Sequence, residues 1–309
     1  MRGDSTVETA ERDGRRSFVV GGAEIAAPRL APALYLVATP IGNLSDITLR
    51  ALETLATADV LACEDTRVTR VLLERYGIRR RMTAYHEHNE AEAAPRLIAM
   101  VEEGRSVALA SDAGTPLVSD PGFRLVQAAQ EKGVRVVPIP GPSAVLAALT
   151  ASGLPTDSFM FAGFLPVKAG QRRSRLEALA GVPATLVFFE SPRRLADTLE
   201  AMAETLGARQ AIVARELTKA FEEVRCGMLA ELAAHYGEAG APKGEVVICV
   251  APPGEPGPAD ADETDRLLLA LSSEMSASKA AGEAARMTGG KKSELYQRLL
   301  TLKESGDER

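Results

Sequence analysis

Two α/β domains followed by a small helical module are predicted by three observations. Apolar runs of strand length alternate with stretches of helical spacing from residue 33 to residue 250. The rhythm breaks at Ser152-Gly153-Leu154-Pro155 and restarts. A Pro/Gly-rich segment at 251–258 then gives way to helical patterns alone. A chain of 309 residues, 46% hydrophobic, is long enough for more than one core. No run approaches membrane-spanning length, and the polar start (Met1-Arg2-Gly3-Asp4) carries no secretory apolar core, so a cytoplasmic protein is expected.

Residues 1–32 are polar and Gly/Arg-rich and are read as a mobile extension. The first domain is expected over 33–152. Its first strand is 34–38, followed by a helix at 48–58 with Asp46 as N-cap and a short buried strand at 59–63. A helical pattern over 90–103 is interrupted at Pro95. A strand at 107–110 precedes a helix at 121–132 closed by Gly133, and a strand at 134–139 precedes a helix at 143–151. Such alternation implies a mostly parallel sheet covered on both faces. The second domain, 153–252, repeats the rhythm with strands at 159–164, 185–189, 210–215 and 245–250 and helices at 172–179, 195–206 and 229–235. Residues 253–261 read as a linker. The module over 262–309 shows three short helices at 264–271, 276–287 and 293–302.

Function is expected at the strand ends. Three apolar runs end in loops of small residues: Thr39-Pro40-Ile41-Gly42-Asn43-Leu44, Ser111-Asp112-Ala113-Gly114-Thr115-Pro116 and Pro140-Gly141-Pro142-Ser143-Ala144. In an open α/β sheet, ligands collect beyond the carboxyl ends of strands, and small residues let the backbone approach them. Neither the dinucleotide Gly-rich fingerprint nor a P-loop nor a nucleophile elbow occurs, so those enzyme classes are demoted. Neutral small-residue loops suit an adenine nucleoside with a zwitterionic tail, among other metabolites. Three further strand ends combine acids with bases: Glu64-Asp65-Thr66-Arg67, Glu190-Ser191-Pro192-Arg193-Arg194 and Arg215-Glu216-Leu217-Thr218-Lys219. Such clusters supply a general base and a hold on a polar substrate, or steady their loops by internal pairing.

The net charge of −6 argues against a generally basic nucleic-acid binder. Local charge is different. Arg67, Arg70, Arg75, Arg79, Arg80 and Arg81 crowd one segment, and Lys168, Arg172, Arg173 and Arg175 another; focused patches of this kind hold phosphates, or are simply solvated helix faces. The three cysteines, Cys63, Cys226 and Cys249, are too scattered for a disulfide framework, and His86 and His88 lack a third ligand in sequence, so no metal is expected.

The three Gly/Pro loops, Cys63-Glu64-Asp65-Thr66-Arg67 and Arg215-Glu216-Leu217-Thr218-Lys219 together resemble, in order, the motifs of the tetrapyrrole methylase superfamily, the class III S-adenosylmethionine-dependent methyltransferases. Within it they resemble the branch that methylates the ribose 2′-oxygen of a cytidine in 16S rRNA. The resemblance runs from about residue 34 to 252, and Lys292-Ser293-Glu294-Leu295-Tyr296 extends it to the tail. It implies two α/β domains with S-adenosylmethionine in the cleft between them, a homodimer, and the small ribosomal subunit as partner. Carried onto this sequence, Thr39, Pro40 and Ile41, the run Gly114, Thr115, Pro116, Leu117 and Val118, and Ser143 with Ala144 should contact the donor. Porphyrin-methylating members commonly carry Gly-Asp-Pro where this chain has Gly114-Thr115-Pro116, which favours the rRNA branch. Glu64, Asp65 and Glu190 are then candidate bases; Lys219 completes the candidate catalytic set and, with Arg67 and Arg193, is a candidate phosphate holder. Arg67, Arg70, Arg172, Arg173, Arg193 and Arg194 are candidate RNA contacts. The alternatives are a tetrapyrrole C-methyltransferase of the same fold and a non-catalytic ribosome-binding protein.

Overall fold

The structure, a computed structural model, describes residues 16–254, 261–288 and 290–307. It opens with a hairpin, β1 (Ser17–Val20) and β2 (Ala23–Ala26), where the sequence suggests a mobile extension. Gly21 and Gly22 both have positive φ (59° and 85°), the combination a two-residue hairpin turn needs. The hairpin is anchored: Phe18 is buried in the first domain's core, and the Val19 N–H donates to the Tyr76 carbonyl at 2.8 Å. Mobility is therefore not the state of residues 17–26; residues 1–15 lie outside the described residues.

The first domain holds five parallel strands: β3 (Ala33–Val37), β4 (Val60–Cys63), β5 (Met82–Ala84), β6 (Ser106–Ala110) and β7 (Val136–Ile139), in the order β5-β4-β6-β3-β7. Their apolar runs are near-continuous because both faces are covered. On one side lie α1 (Leu49–Thr57) and α2 (Thr66–Arg75), on the other α3 (Glu90–Glu102) and α4 (Phe123–Glu131). The cap of α1 is Thr48, whose Oγ1 accepts the Ala51 N–H at 3.1 Å; Asp46, two residues earlier, ends a short 3₁₀ segment. Helix α3 runs unbroken through Pro95. Burial of Ala94, Leu97, Ile98 and Val101 outweighs the backbone bond that proline removes. Parallel orientation puts the carboxyl ends of β3, β4, β6 and β7 on one edge, so the Gly/Pro loops converge there.

The second sheet, in the order β11-β10-β12-β9-β8, comprises β8 (Phe159–Phe164), β9 (Thr185–Glu190), β10 (Gln210–Arg215), β11 (Glu223–Met228) and β12 (Val246–Val250). Only β8 and β9 pair in parallel; the other three pairs are antiparallel. One face packs under α6 (Ala169–Leu179), α7 (Leu195–Leu206) and α8 (Leu229–Ala239). The other face meets the first domain. Val187, Ile212, Val247 and Cys249 share a cluster with Ile41 and with Val145, Ala148 and Leu149 of α5 (Ala144–Ala151). That apolar seam joins the domains beside the Gly/Pro loops. The tail forms α9 (Ala261–Glu274), α10 (Ala277–Thr288) and α11 (Lys292–Asp307) around a small core of its own: Leu268, Ala280, Ala281, Ala284, Leu295 and Leu299.

Candidate functional site

The three Gly/Pro loops are locked together by hydrogen bonds their sequences leave available. Thr39 and Gly114 exchange both backbone bonds, at 2.9 and 3.0 Å. Thr39 Oγ1 donates to the Ser111 carbonyl at 2.9 Å, and Thr115 Oγ1 to the Pro142 carbonyl at 3.2 Å. Gly114 sits at φ +84°, a conformation that favours glycine, and a Cβ there would lie in tight contact, 3.2 Å from Ile41 Cγ2. Just beyond, Leu117 (φ +71°) and Ser119 (φ +64°) hold left-handed conformations that non-glycine residues avoid. Strain of this kind concentrates at ligand sites. Ser143 caps α5, accepting the Leu146 N–H.

These loops form one wall of a cavity of about 430 Å³. Ile41, Gly114, Thr115, Val118, Ser143 and Ala144 line it, while Thr39, Pro40 and Pro116 are buried in the framework behind. The opposite wall is the second domain: Phe164, Phe189, Glu190 and the Gly244–Val247 run. The lining is mostly apolar with a few polar groups, the usual make-up of a small-molecule site. Phe164 and Phe189 escaped the sequence reading because nothing in the local pattern says that they meet the loops across a domain boundary; Asp120, in the first domain beyond the second loop, escaped it because no strand-end acid cluster marks it.

The acid-plus-base clusters divide. Asp65 caps α2: it accepts the Arg67 N–H at 2.8 Å and holds the Arg67 guanidinium at 2.6 Å. That guanidinium, with the backbone donors, holds its carboxyl down to about 2. A carboxylate so stabilised is a poor proton acceptor, so the base role considered for Asp65 gives way to capping. Glu190 reaches the cavity wall but is buried and engaged on both oxygens. Its oxygens accept from the Ser191 N–H and Thr198 Oγ1, each at 2.7 Å, and face Arg194 at 3.3 Å. Lys219 Nζ bridges Glu216 at 2.7 Å and Glu245 at 2.9 Å, its stem lies over Gly42, and the neighbouring Thr218 Oγ1 accepts the Asn43 N–H at 3.2 Å. The cluster at 215–219 thus latches the second domain onto the loop that carries Ile41.

Glu64, Asp112 and Asp120 behave oppositely to Asp65. Burial raises each, and repulsion from neighbouring acids adds to it. A carboxylate raised in the folded state contributes stability at low pH that is lost as pH climbs through its folded value. Glu64→Gln is therefore expected to raise Tm by roughly 1–2 °C near neutral pH, with the gain vanishing below the carboxylate range; thermal melts across pH check this. Of the three, Asp120 lies in the cavity, with Ser111 Oγ donating to one of its oxygens.

The basic residues also divide. Arg80 turns inward and, with Arg16, binds the carbonyls that end α1, including Ala58. Arg194 donates to the Leu165 carbonyl at 2.7 Å and pairs with Glu190, so its candidacy as an RNA contact yields to a structural role. Arg67 pairs with Asp65 but keeps most of its side chain in solvent. Arg70, Arg79 and Arg81 are exposed around a groove of about 510 Å³; Arg193, next to the cavity-lining Pro192, is exposed, and Arg173 is exposed on α6 with Glu177 at 3.1 Å. Arg172 is half-buried on α6.

Comparison with known proteins agrees with this geometry. Residues 33–233 match the model of Tetrapyrrole (Corrin/Porphyrin) Methylases, and residues 258–303 match that of the RsmI C-terminal HTH domain. A protein of Mesorhizobium japonicum named Ribosomal RNA small subunit methyltransferase I is 69% identical over 94% of this chain and 99% of its own length. One of the same name from Escherichia coli O157:H7 is 48% identical over 86% and 94%. Among solved structures, uroporphyrin-III-C-methyltransferase from Thermus thermophilus aligns with TM-score 0.52 and 25% identity, over 71% of this chain and 94% of that one. Diphthine synthase aligns with TM-score 0.57 and 20% identity, over 71% and 89%, a likeness of fold alone. The chain belongs to the tetrapyrrole methylase family, in its ribosomal RNA small subunit methyltransferase I branch.

Proposed function

We propose that this protein transfers a methyl group from S-adenosylmethionine to the ribose 2′-oxygen of a cytidine in 16S rRNA of the small ribosomal subunit, acting as a cytoplasmic homodimer. The single observation that carries the donor reading is the interlocked three-loop wall of the 430 Å³ cavity. The names of relatives that match nearly end to end support the rRNA substrate. The lining fits the donor: neutral small residues at Gly114, Ser143 and Ala144 admit a nucleoside. When bound, the donor supplies a methyl group already activated on a sulfonium, so the proposed transfer needs no metal.

Ile41, Gly114, Thr115, Val118, Ser143 and Ala144 hold the donor in this reading, and the second domain closes over it. Holding donor and acceptor in line is worth several kcal/mol (~7 or more in well-oriented systems) through lost freedom already removed on binding. The hydroxyl must release its proton as the oxygen attacks. Glu190 has its oxygens engaged, Glu245 is paired with Lys219, Asp65 is held as a stable anion and Glu64 does not line the cavity, which leaves Asp120 as the cavity carboxylate suited to receive it.

Exposed arginines supply the RNA hold. Replacing Arg70, Arg79 and Arg81 together by Glu is expected to weaken binding to small ribosomal subunits roughly 10- to 1000-fold at low salt and to flatten its salt dependence. Donor affinity should stay within about 2-fold of wild type, since the groove is separate from the cavity. An unchanged salt slope would make these arginines a solvated face. The decisive test of the whole reading is mass spectrometry of 16S rRNA from a deletion strain, with and without complementation. Absence of a methylated cytidine dependent on this gene overturns it.

A further inference from the structure

Strand β8 is out of phase with itself. Met160 packs under α6–α8, and Phe161 faces the opposite way, into the seam with the first domain. Its partner β9 alternates in step: Leu186 and Phe188 face the helices, and Val187 and Phe189 the seam. Opposite Phe188, however, β8 supplies two residues, Ala162 and Gly163, with Gly163 at φ +68°. This bulge delays the alternation by one residue. Strict alternation would send Phe164 to the covered face with Met160. Instead Phe164 pairs with Phe189 on the cleft face.

The consequence is an aromatic ring held where burial would not put it. Phe164 and Phe161 both meet the Phe189 ring edge to face, at centroid distances of 5.6 and 4.8 Å. Phe161 is half-buried, whereas Phe164 lines the cavity and is still 57% exposed. The same chain continues into Val167, which is exposed, and then into Lys168, Arg172, Arg173 and Arg175 at the start of α6. A braced, exposed aromatic face next to a basic segment is the pairing that single-stranded nucleic acid selects: the base stacks on the ring and the adjoining phosphates meet the cations.

We propose that Phe164 is the stacking platform for an unstacked base of the acceptor RNA strand, with the strand's neighbouring phosphates running along the basic start of α6. This rests on the rRNA reading above and adds a specificity residue to it. The bulge at Gly163 is then the device that turns the ring from core to substrate. Nothing in the stacking step is covalent; the ring positions the nucleotide whose hydroxyl is methylated or its immediate neighbour.

Steady-state methyl transfer to isolated small ribosomal subunits, together with calorimetric binding of S-adenosylhomocysteine, tests it. Phe164→Ala should raise KM for subunits roughly 5- to 100-fold, with S-adenosylhomocysteine affinity falling by less than about 3-fold although the ring borders the donor cavity, and Phe164→Tyr should restore KM. Because the ring is exposed, Phe164→Ala should fold normally, which circular dichroism checks. A loss of S-adenosylhomocysteine affinity that Phe164→Tyr restores would show that the ring stacks on the donor's adenine and would overturn the proposal. Unchanged KM would overturn it too. If wild-type protein transfers no methyl group to subunits, the rRNA reading itself falls, a result distinct from either.

Discussion

A Gly114→Arg variant is expected to lose S-adenosylmethionine affinity by at least about 100-fold, or ~2.7 kcal/mol. Two effects must be separated. At φ +84° any side chain carries left-handed strain of roughly 1–2 kcal/mol, and a Cβ meets Ile41 Cγ2 at 3.2 Å. Gly114→Ala has the same strain but nothing that reaches into the cavity. Strain of that size lowers Tm by only a few degrees, roughly 2–8 °C, so both variants should fold. Alanine is expected to keep affinity within about 10-fold of wild type, since its cost is mainly one of strain; arginine fills the space the donor needs. Calorimetry on the two folded variants reads the difference. Undiminished donor affinity in Gly114→Arg would remove the donor from this cavity.

The three-loop wall of the cavity was readable in sequence because its chemistry is local. Gly114, the Pro-Gly-Pro turn and Ser143 announce backbone geometry that neighbouring residues alone determine. The same holds for β3, β4, β6 and β7 of the first sheet, whose apolar runs reflect burial; β5, three residues at the sheet edge with little burial, carries no such signal and escaped the sequence reading. What escaped is non-local. Strand β11 alternates polar and apolar residues at a sheet edge and lacks the continuous run of a buried strand. The hairpin did carry a local signal, Gly21-Gly22 between short strands, but its polar surroundings masked it. Arg80 and Arg194 look like free cations in any window, and only the fold shows that carbonyls at Ala58 and Leu165 consume them. Asp65 looks like a base until Arg67 is seen on it. The second wall, with Phe164 turned outward by a bulge, exists only once two sheets face each other.

Asp120→Asn is expected to lower kcat by roughly 100- to 10,000-fold, the range a lost general base commands, while leaving donor affinity within a few-fold. The geometry behind this is narrow. Asp120 lies in the cavity, and Ser111 Oγ fixes one of its oxygens, a bond that asparagine can still accept. Its ordinary value is raised by burial, with the Asp112 charge adding and the Ser111 bond opposing. The base works as the anion, so the rate should climb as pH passes through that raised value, placing the acid limb above the usual carboxylate range. Stability runs the other way: the charged form is disfavoured in the fold, so Asp120→Asn should gain stability near neutral pH while losing activity. Those opposite signs distinguish a base from a structural residue, whose replacement would lower both. Loss of the acid limb in the residual activity of Asp120→Asn, and its return in Asp120→Glu, is the specific signature. A fall in donor affinity equal to the fall in kcat/KM would instead make Asp120 the counter-ion of the donor's positive charge, and the proton would have to leave by another route.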